Sequence, residues 1–108
     1  MSFKIIPTPP FERELKQLAK KYPSLKNDIS SLAIELLRNP QLGTFIGSDC
    51  YKIRMAISSK GRGKSGGAGV ITYVQIVKET IFLLAIYDKS EMQNISDSDI
   101  KARLKRIQ

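Results

Sequence analysis

The hydrophobic residues of this chain change period near Cys50, and that change fixes the class of fold. Before it, apolar side chains recur at intervals of three and four. Phe11, Leu15, Leu18, Ala19 and Tyr22 make one such stripe; Leu25, Ile29, Leu32, Ala33, Leu36 and Leu37 make another. Both are patterns of amphipathic helices. After it the period is two: Tyr51, Ile53, Met55 and Ile57 alternate with Lys52, Arg54 and Ala56, as in a half-buried strand. A chain of 108 residues that reads helix first and strand later builds one α+β domain, spanning residues 1–108.

Punctuation refines the order. FKII ahead of Pro7 reads as an opening strand. Thr8 then caps a helix with Pro9 and Pro10 in its first turn and Glu12 close behind. Pro23 and Ser24 make a turn short enough to fold two helices into an antiparallel hairpin, and Asn39 and Pro40 stop the second. Leu42 to Asp49 reads as a glycine-containing connector. GVITYVQIVK is a strand with Val70, Thr72, Val74 and Ile76 on one face. Lys78 and Glu79 fit a hairpin tip, and TIFLLAIYDK is apolar enough to be a central strand. SDSDIKARLKRIQ has Ser96 or Ser98 as cap, acids early and bases late, which complements a helix dipole. The expected order is βααβββα: an N-terminal strand and helical hairpin packed on an antiparallel sheet, with a C-terminal helix. No internal repeat or linker interrupts it.

Composition narrows the chemistry. The chain is 42% hydrophobic, enough for a packed core. Its net charge of +8 calls for an anionic partner: nucleic acid, an acidic protein or a membrane surface. There is no histidine, which excludes histidine triads, histidine-rich metal sites and histidine acid–base work; Lys, Tyr, Asp or Glu must do any proton transfer. The single cysteine, Cys50, forms no intrachain disulfide and has no histidine to activate it, so it reads as a small strand residue in a reducing compartment. MSFKIIPTPP lacks the apolar core of a signal peptide, and IFLLAIY is far too short to span a bilayer. The expectation is a cytoplasmic protein with no membrane partner.

The stretch Ser58 to Gly67, SSKGRGKSGG, contains the GKS of a phosphate-gripping P-loop. That motif needs an earlier glycine, where Ser58 stands, and a helix after the GKS; here a strand follows. A nucleotide site is therefore set aside. The plainer reading is a hairpin loop built on Gly61, Gly63, Gly66 and Gly67. Two features argue for more. No acidic residue occurs between Asp49 and Glu79, while Lys52, Arg54, Lys60, Arg62, Lys64 and Lys78 all do. Lys52 and Arg54 also share one face of their strand. Cations on a sheet face beside a basic loop make a site for a polyanion, most simply a nucleic-acid backbone. Tyr51, Tyr73 and Tyr87 are candidates to stack on bases, or else pack ordinarily in the sheet.

CYKIRMAISSKGRGKSGGAGVITYV followed by LLAIYDKSEMQNIS resembles the RelE/ParE superfamily of bacterial toxins, and most closely its RelE/HigB-like branch with a KGKGK-style loop. The likeness extends to the helical hairpin and to the Asn39–Gly43 connector. It implies a toxin of a type II toxin–antitoxin pair that enters the ribosomal A site and cuts messenger RNA. The implied chemistry is metal-free and cofactor-free, with the ribose 2′-hydroxyl attacking the adjacent phosphate. The implied partners are the ribosome, mRNA and a cognate antitoxin, often of helix-turn-helix type. By position the resemblance matches Lys52 and Arg54 to the family's paired strand cations, Lys60 and Lys64 to its basic loop, and Tyr87, Asp88 and Lys89 to its strand-end segment. The expected catalytic residues are Arg54, Lys60, Lys64, Tyr87 and Lys89; the expected RNA-binding residues are Lys52 and Arg62, with Tyr51 and Tyr73 added as candidates to stack on bases. Without histidine a lysine is the expected base, its pKa lowered by neighbouring cations.

One position departs from the pattern. Relatives open the strand after the loop with arginine, as in A-R-V-I-T; here it is AGVIT, with Gly69 in the arginine's place. Loss of one preorganised donor typically slows such a reaction on the order of 100-fold. The expectation is a weakened ribonuclease that a Gly69→Arg change would speed, with a less stable strand as the competing effect of glycine. Two other functions stay open: a ParE-like gyrase poison, and an inactive RNA- or antitoxin-binding module.

Overall fold

A computed structural model describes residues 2–61 and 66–107; Arg62 and Lys64, assigned above to RNA binding and catalysis, lie outside the described residues. The elements run β1 (Lys4–Pro7), α1 (Pro9–Lys21), α2 (Leu25–Arg38), β2 (Thr44–Gly47), β3 (Cys50–Met55), a single 3-10 turn (Ser58–Lys60), β4 (Ala68–Gln75), β5 (Thr80–Asp88) and α3 (Asp97–Lys105). The α+β class, the helical hairpin and the C-terminal helix are as expected. One five-stranded sheet has the order β1-β5-β4-β3-β2. Its pairs are antiparallel from β2 through β5, while β1 runs parallel to β5, with Ile5 opposite Ile81.

Two details differ from the sequence reading. The connector after α2 contains a strand, β2, because Ser48 and Asp49 both take positive φ and turn the chain tightly back into β3. Gly43 lets this segment approach: a Cβ there would lie 2.5 Å from the Lys52 carbonyl oxygen. The second difference is that β4 stops at Gln75. Ile76 belongs to the following turn, closed by Glu79 N–H to Ile76 O at 3.1 Å, and is exposed.

Thr8, Ser24 and Ser96 stand at the helix starts as the sequence suggests, but only Ser96 closes its helix with its side chain. Thr8 precedes α1, but its hydroxyl donates to Leu83 O at 2.8 Å, tying the helix start to β5 instead of closing the helix. Ser96 is the cap of α3, accepting from Asp99 N–H at 3.2 Å.

The sheet is covered on both faces. On one, α1 and α2 bring Phe11, Leu25, Leu32 and Leu36 onto Ile53, Met55, Val70, Val74, Ile81 and Ile86; Leu37 turns outward. On the other, Ile100 and Leu104 of α3 meet Ile71, Tyr73, Leu84 and Ala85. Cys50 is fully buried there, and burial pushes its thiol up to about 11. A bulge in β5 divides its residues between the faces. Ile71 pairs with Ala85 but Thr72 with Leu83, leaving Leu84 unmatched. Leu83 and Ile86 therefore face the hairpin helices, whereas Leu84, Ala85 and Tyr87 face the side of α3.

Candidate functional site

The register of three strands assembles the site. Arg54 of β3 stands opposite Gly69 of β4, which stands opposite Tyr87 of β5. Residues directly opposite in a ladder project to the same face, so these three form a row across the sheet, on the side of α3. Lys52 lies two residues from Arg54 on that face, and Lys89 two residues beyond Tyr87. Arg54 is exposed, Lys52 half-buried and Lys89 buried. Among the described residues no carboxylate pairs with any of the three. The Lys52 ammonium is held by the Asn94 side-chain oxygen. Burial, and then the charges of Arg54 and Lys52, push the pKa of Lys89 below the usual lysine value.

Gly69 leaves a slot in this row, and the Tyr87 ring fills it. A Cβ at position 69 would lie 2.2 Å from Tyr87 Cζ and 2.5 Å from its hydroxyl. The ring therefore crosses β4 with its polar end over the glycine, toward the strand that carries Arg54. Tyr87 is 4% exposed, and its hydroxyl has no hydrogen-bond partner among the described residues. Burial raises its pKa while the Arg54 charge acts to lower it, so the phenol stays protonated near neutrality. The expected gain from Gly69→Arg meets an obstacle here: arginine enters only if the Tyr87 ring swings away.

Lys60 is not part of the row. Its ammonium donates to Asp88 Oδ1 at 2.6 Å, to Gly66 O at 2.8 Å and to Ser90 Oγ at 3.2 Å, and sits 4.9 Å from the Tyr22 ring centre. All three of its N–H donors are engaged. Asp88 also accepts from the Tyr22 hydroxyl at 2.6 Å and from Ser90. Burial alone would raise the Asp88 pKa, but these hydrogen bonds outweigh it and hold the carboxyl well below the usual range. By joining Gly66 to Asp88, Lys60 clasps the two ends of the basic loop, and Lys89 N–H to Gly67 O at 3.0 Å reinforces the join. The structure places Lys60, expected at the catalytic centre, in this clasp and apart from the row of Arg54, Gly69 and Tyr87.

The other tyrosines are committed elsewhere. Tyr51 lies on the opposite face from Lys52, packed toward the hairpin helices, with its ring 5.5 Å from Phe45 and its hydroxyl accepting from Gln41 at 2.9 Å. Tyr73 is on the right face but buried, its ring stacked 5.9 Å from Phe82. Tyr73 is thus inside the core, and Tyr51 is half-buried away from the row. A groove of about 700 Å³ lies along β3 beside α2 and is lined by Asp28 and Glu35 as well as by Lys52 and Arg54. Its carboxylates disfavour an RNA backbone there, so the row of cations is the better candidate.

Sequence reasoning missed Asn94, Tyr22 and Ser90. Asn94 carries no local signal. The D-x-S pattern at Asp88–Ser90 is a local turn signal that could have marked the Asp88 network. Among the described residues no group of three or more metal-ligating side chains comes together, and no helix is long and apolar enough to cross a membrane.

Comparison with known proteins agrees with this architecture. The free E. coli toxin RelE, in a doubly substituted form, matches with 21% identity and a TM-score of 0.64, each chain covered in full. The isolated E. coli RelE toxin matches with 21% identity over 98% of this chain and 99% of that one, at a TM-score of 0.57. The intact E. coli RelBE toxin–antitoxin complex matches with 18% identity over 80% of this chain and 95% of that one, at 0.61. At such identities these likenesses speak for the fold. The family model of the RelE toxin of the RelE/RelB toxin–antitoxin system matches residues 5–107, and the chain therefore belongs to the RelE toxin family.

Proposed function

We propose that this protein cuts messenger RNA on the ribosome, by attack of a ribose 2′-hydroxyl on the neighbouring phosphate, without a metal or cofactor. The observation that carries the reading is the cation cluster of Arg54, Lys52 and Lys89, which no carboxylate neutralises among the described residues. An exposed arginine fits the charge of a crowded phosphorane. A lysine with lowered proton affinity fits the base that takes the 2′-hydroxyl proton. In this reading Arg54 binds the reacting phosphate, Lys89 transfers the proton and Lys52 steadies the backbone. Arg62 and Lys64 supply further charge for ribosomal RNA. Gly69 offers no donor of its own, so cleavage is slow, on the order of 100-fold below a site with that arginine in place.

The proposed partners are the ribosome with its mRNA and a cognate antitoxin, of helix-turn-helix type. E. coli RelE has been seen with its own antitoxin, which supports a comparable partner here. The absence of a side chain at position 69 equally favours a weaker alternative, an inactive antitoxin- or RNA-binding module. Expression in cells with mapping of mRNA 5′ ends separates the readings. Cuts confined to translated reading frames, and abolished by Arg54→Gln, support the proposal. DNA damage signalling without cuts would mark a gyrase poison, and antitoxin binding without growth arrest would mark the inactive module.

A further inference from the structure

We infer that the Tyr87 hydroxyl donates a hydrogen bond to the phosphate bound at this site, occupying the slot that Gly69 opens between Arg54 and β5. The inference rests on the RNA reading above and assigns a second donor within it. Two observations carry it independently. The polar end of the ring lies over Gly69, in the space any side chain at 69 would need, with Cζ and the hydroxyl 2.2 and 2.5 Å from the Cβ position. And the hydroxyl of this 4%-exposed residue is unpartnered among the described residues.

A buried hydroxyl without a partner is a standing cost to the fold. Such groups persist where a ligand completes them. The register aims this one across β4 toward Arg54, whose guanidinium has no carboxylate partner among the described residues. A phosphate oxygen seated by Arg54 would accept from the phenol, which stays protonated because burial raises its pKa. No proton changes hands in this contact; the hydroxyl only donates a hydrogen bond to a non-bridging oxygen. Glycine and tyrosine are thus one device: the glycine removes a side chain so that the phenol can reach across the strand. A phenol gives one neutral hydrogen bond where a guanidinium gives two charged ones, consistent with a slow enzyme.

The test uses the whole protein with purified ribosomes and a translated model mRNA, read as a single-turnover cleavage rate beside urea unfolding. Tyr87→Phe keeps the ring and removes only the donor. It should cut about 10- to 100-fold more slowly while its unfolding midpoint stays level or rises, because the orphaned hydroxyl is gone. A ring that served packing alone would leave the rate unchanged. Gly69→Ala puts a methyl into the ring and should give a similar loss, and the double variant should be no slower than the slower single one. Parent and Tyr87→Phe cutting at equal rates would overturn the donor role alone. A parent that neither binds nor cuts the ribosome-bound mRNA would overturn the RNA reading and this inference together.

Discussion

Replacing Lys60 by methionine tests whether the first lysine of the basic loop is a clasp or a reagent. The ion pair with Asp88 is 2.6 Å long, between side chains 9% and 1% exposed. Removing one partner of such a pair leaves the other charge buried, at about 3–5 kcal/mol. Asp88 keeps its bonds from Tyr22 and from Ser90 N–H and Oγ–H, which places the loss near the low end, about 3 kcal/mol. That is a ~150-fold shift toward the unfolded state. With a urea slope of roughly 1–3 kcal/mol per molar, the unfolding midpoint falls by about 1–3 M. The double variant Lys60→Met with Asp88→Asn should recover part of the loss, because it removes the stranded charge. Equilibrium urea unfolding followed by circular dichroism reads both. A loss under about 1 kcal/mol, the size of an exposed surface pair, would refute the buried clasp. So would a double variant less stable than the sum of the singles.

Two further outcomes follow from the same physics. The Asp88 carboxyl has its pKa depressed in the folded protein, so the stability it contributes is present above the unfolded value and is lost as pH falls through the folded one. The unfolding midpoint should therefore drop as pH is lowered below about 4, and Asp88→Asn should flatten that slope. At the other end of the molecule, Arg103 of α3 donates to both Glu14 oxygens and to Leu84 O, each at 2.8 Å. Arg103→Ala should cost about 2–4 kcal/mol and raise amide hydrogen exchange in α3 ahead of the sheet; equal exchange in both variants would disprove the latch.

The helical hairpin and the strands of the sheet were legible because their apolar residues keep a steady period over many residues. The alternation of Lys52 and Arg54 against Ile53 and Met55 likewise gave the cationic face of β3 directly. What stayed hidden depends on interruptions of a period. Strict alternation from Ile81 would put Tyr87 with the hairpin core and Asp88 on the cationic face. The bulge at Leu84 exchanges them, and nothing in the apolar run FLLAI marks it. That one extra residue decides that Tyr87 joins Arg54 and that Asp88 captures Lys60. Lys60 looked like one more cation in a basic loop because its buried carboxylate lies 28 positions away. Gly69 was recognisable as a missing arginine, but the ring filling its place could be seen only across the strand.

The placement of β5 also governs when the cationic row can assemble as the chain is synthesised. Arg54 emerges from the ribosome first, Gly69 next, and Tyr87 and Lys89 only with the end of β5. The opening strand waits as well, since β1 has no partner until residues 80–83 exist, and Thr8 bonds to a carbonyl 75 positions ahead. At about 5–20 residues per second, the cations of β3 are outside for several seconds before the row they belong to can close. A chain cut short before β5 therefore carries most of the charge of the protein and none of its site. The topology confines the assembled row to chains extended past Lys89, so its appearance is timed by the synthesis of β5 and not by that of β3.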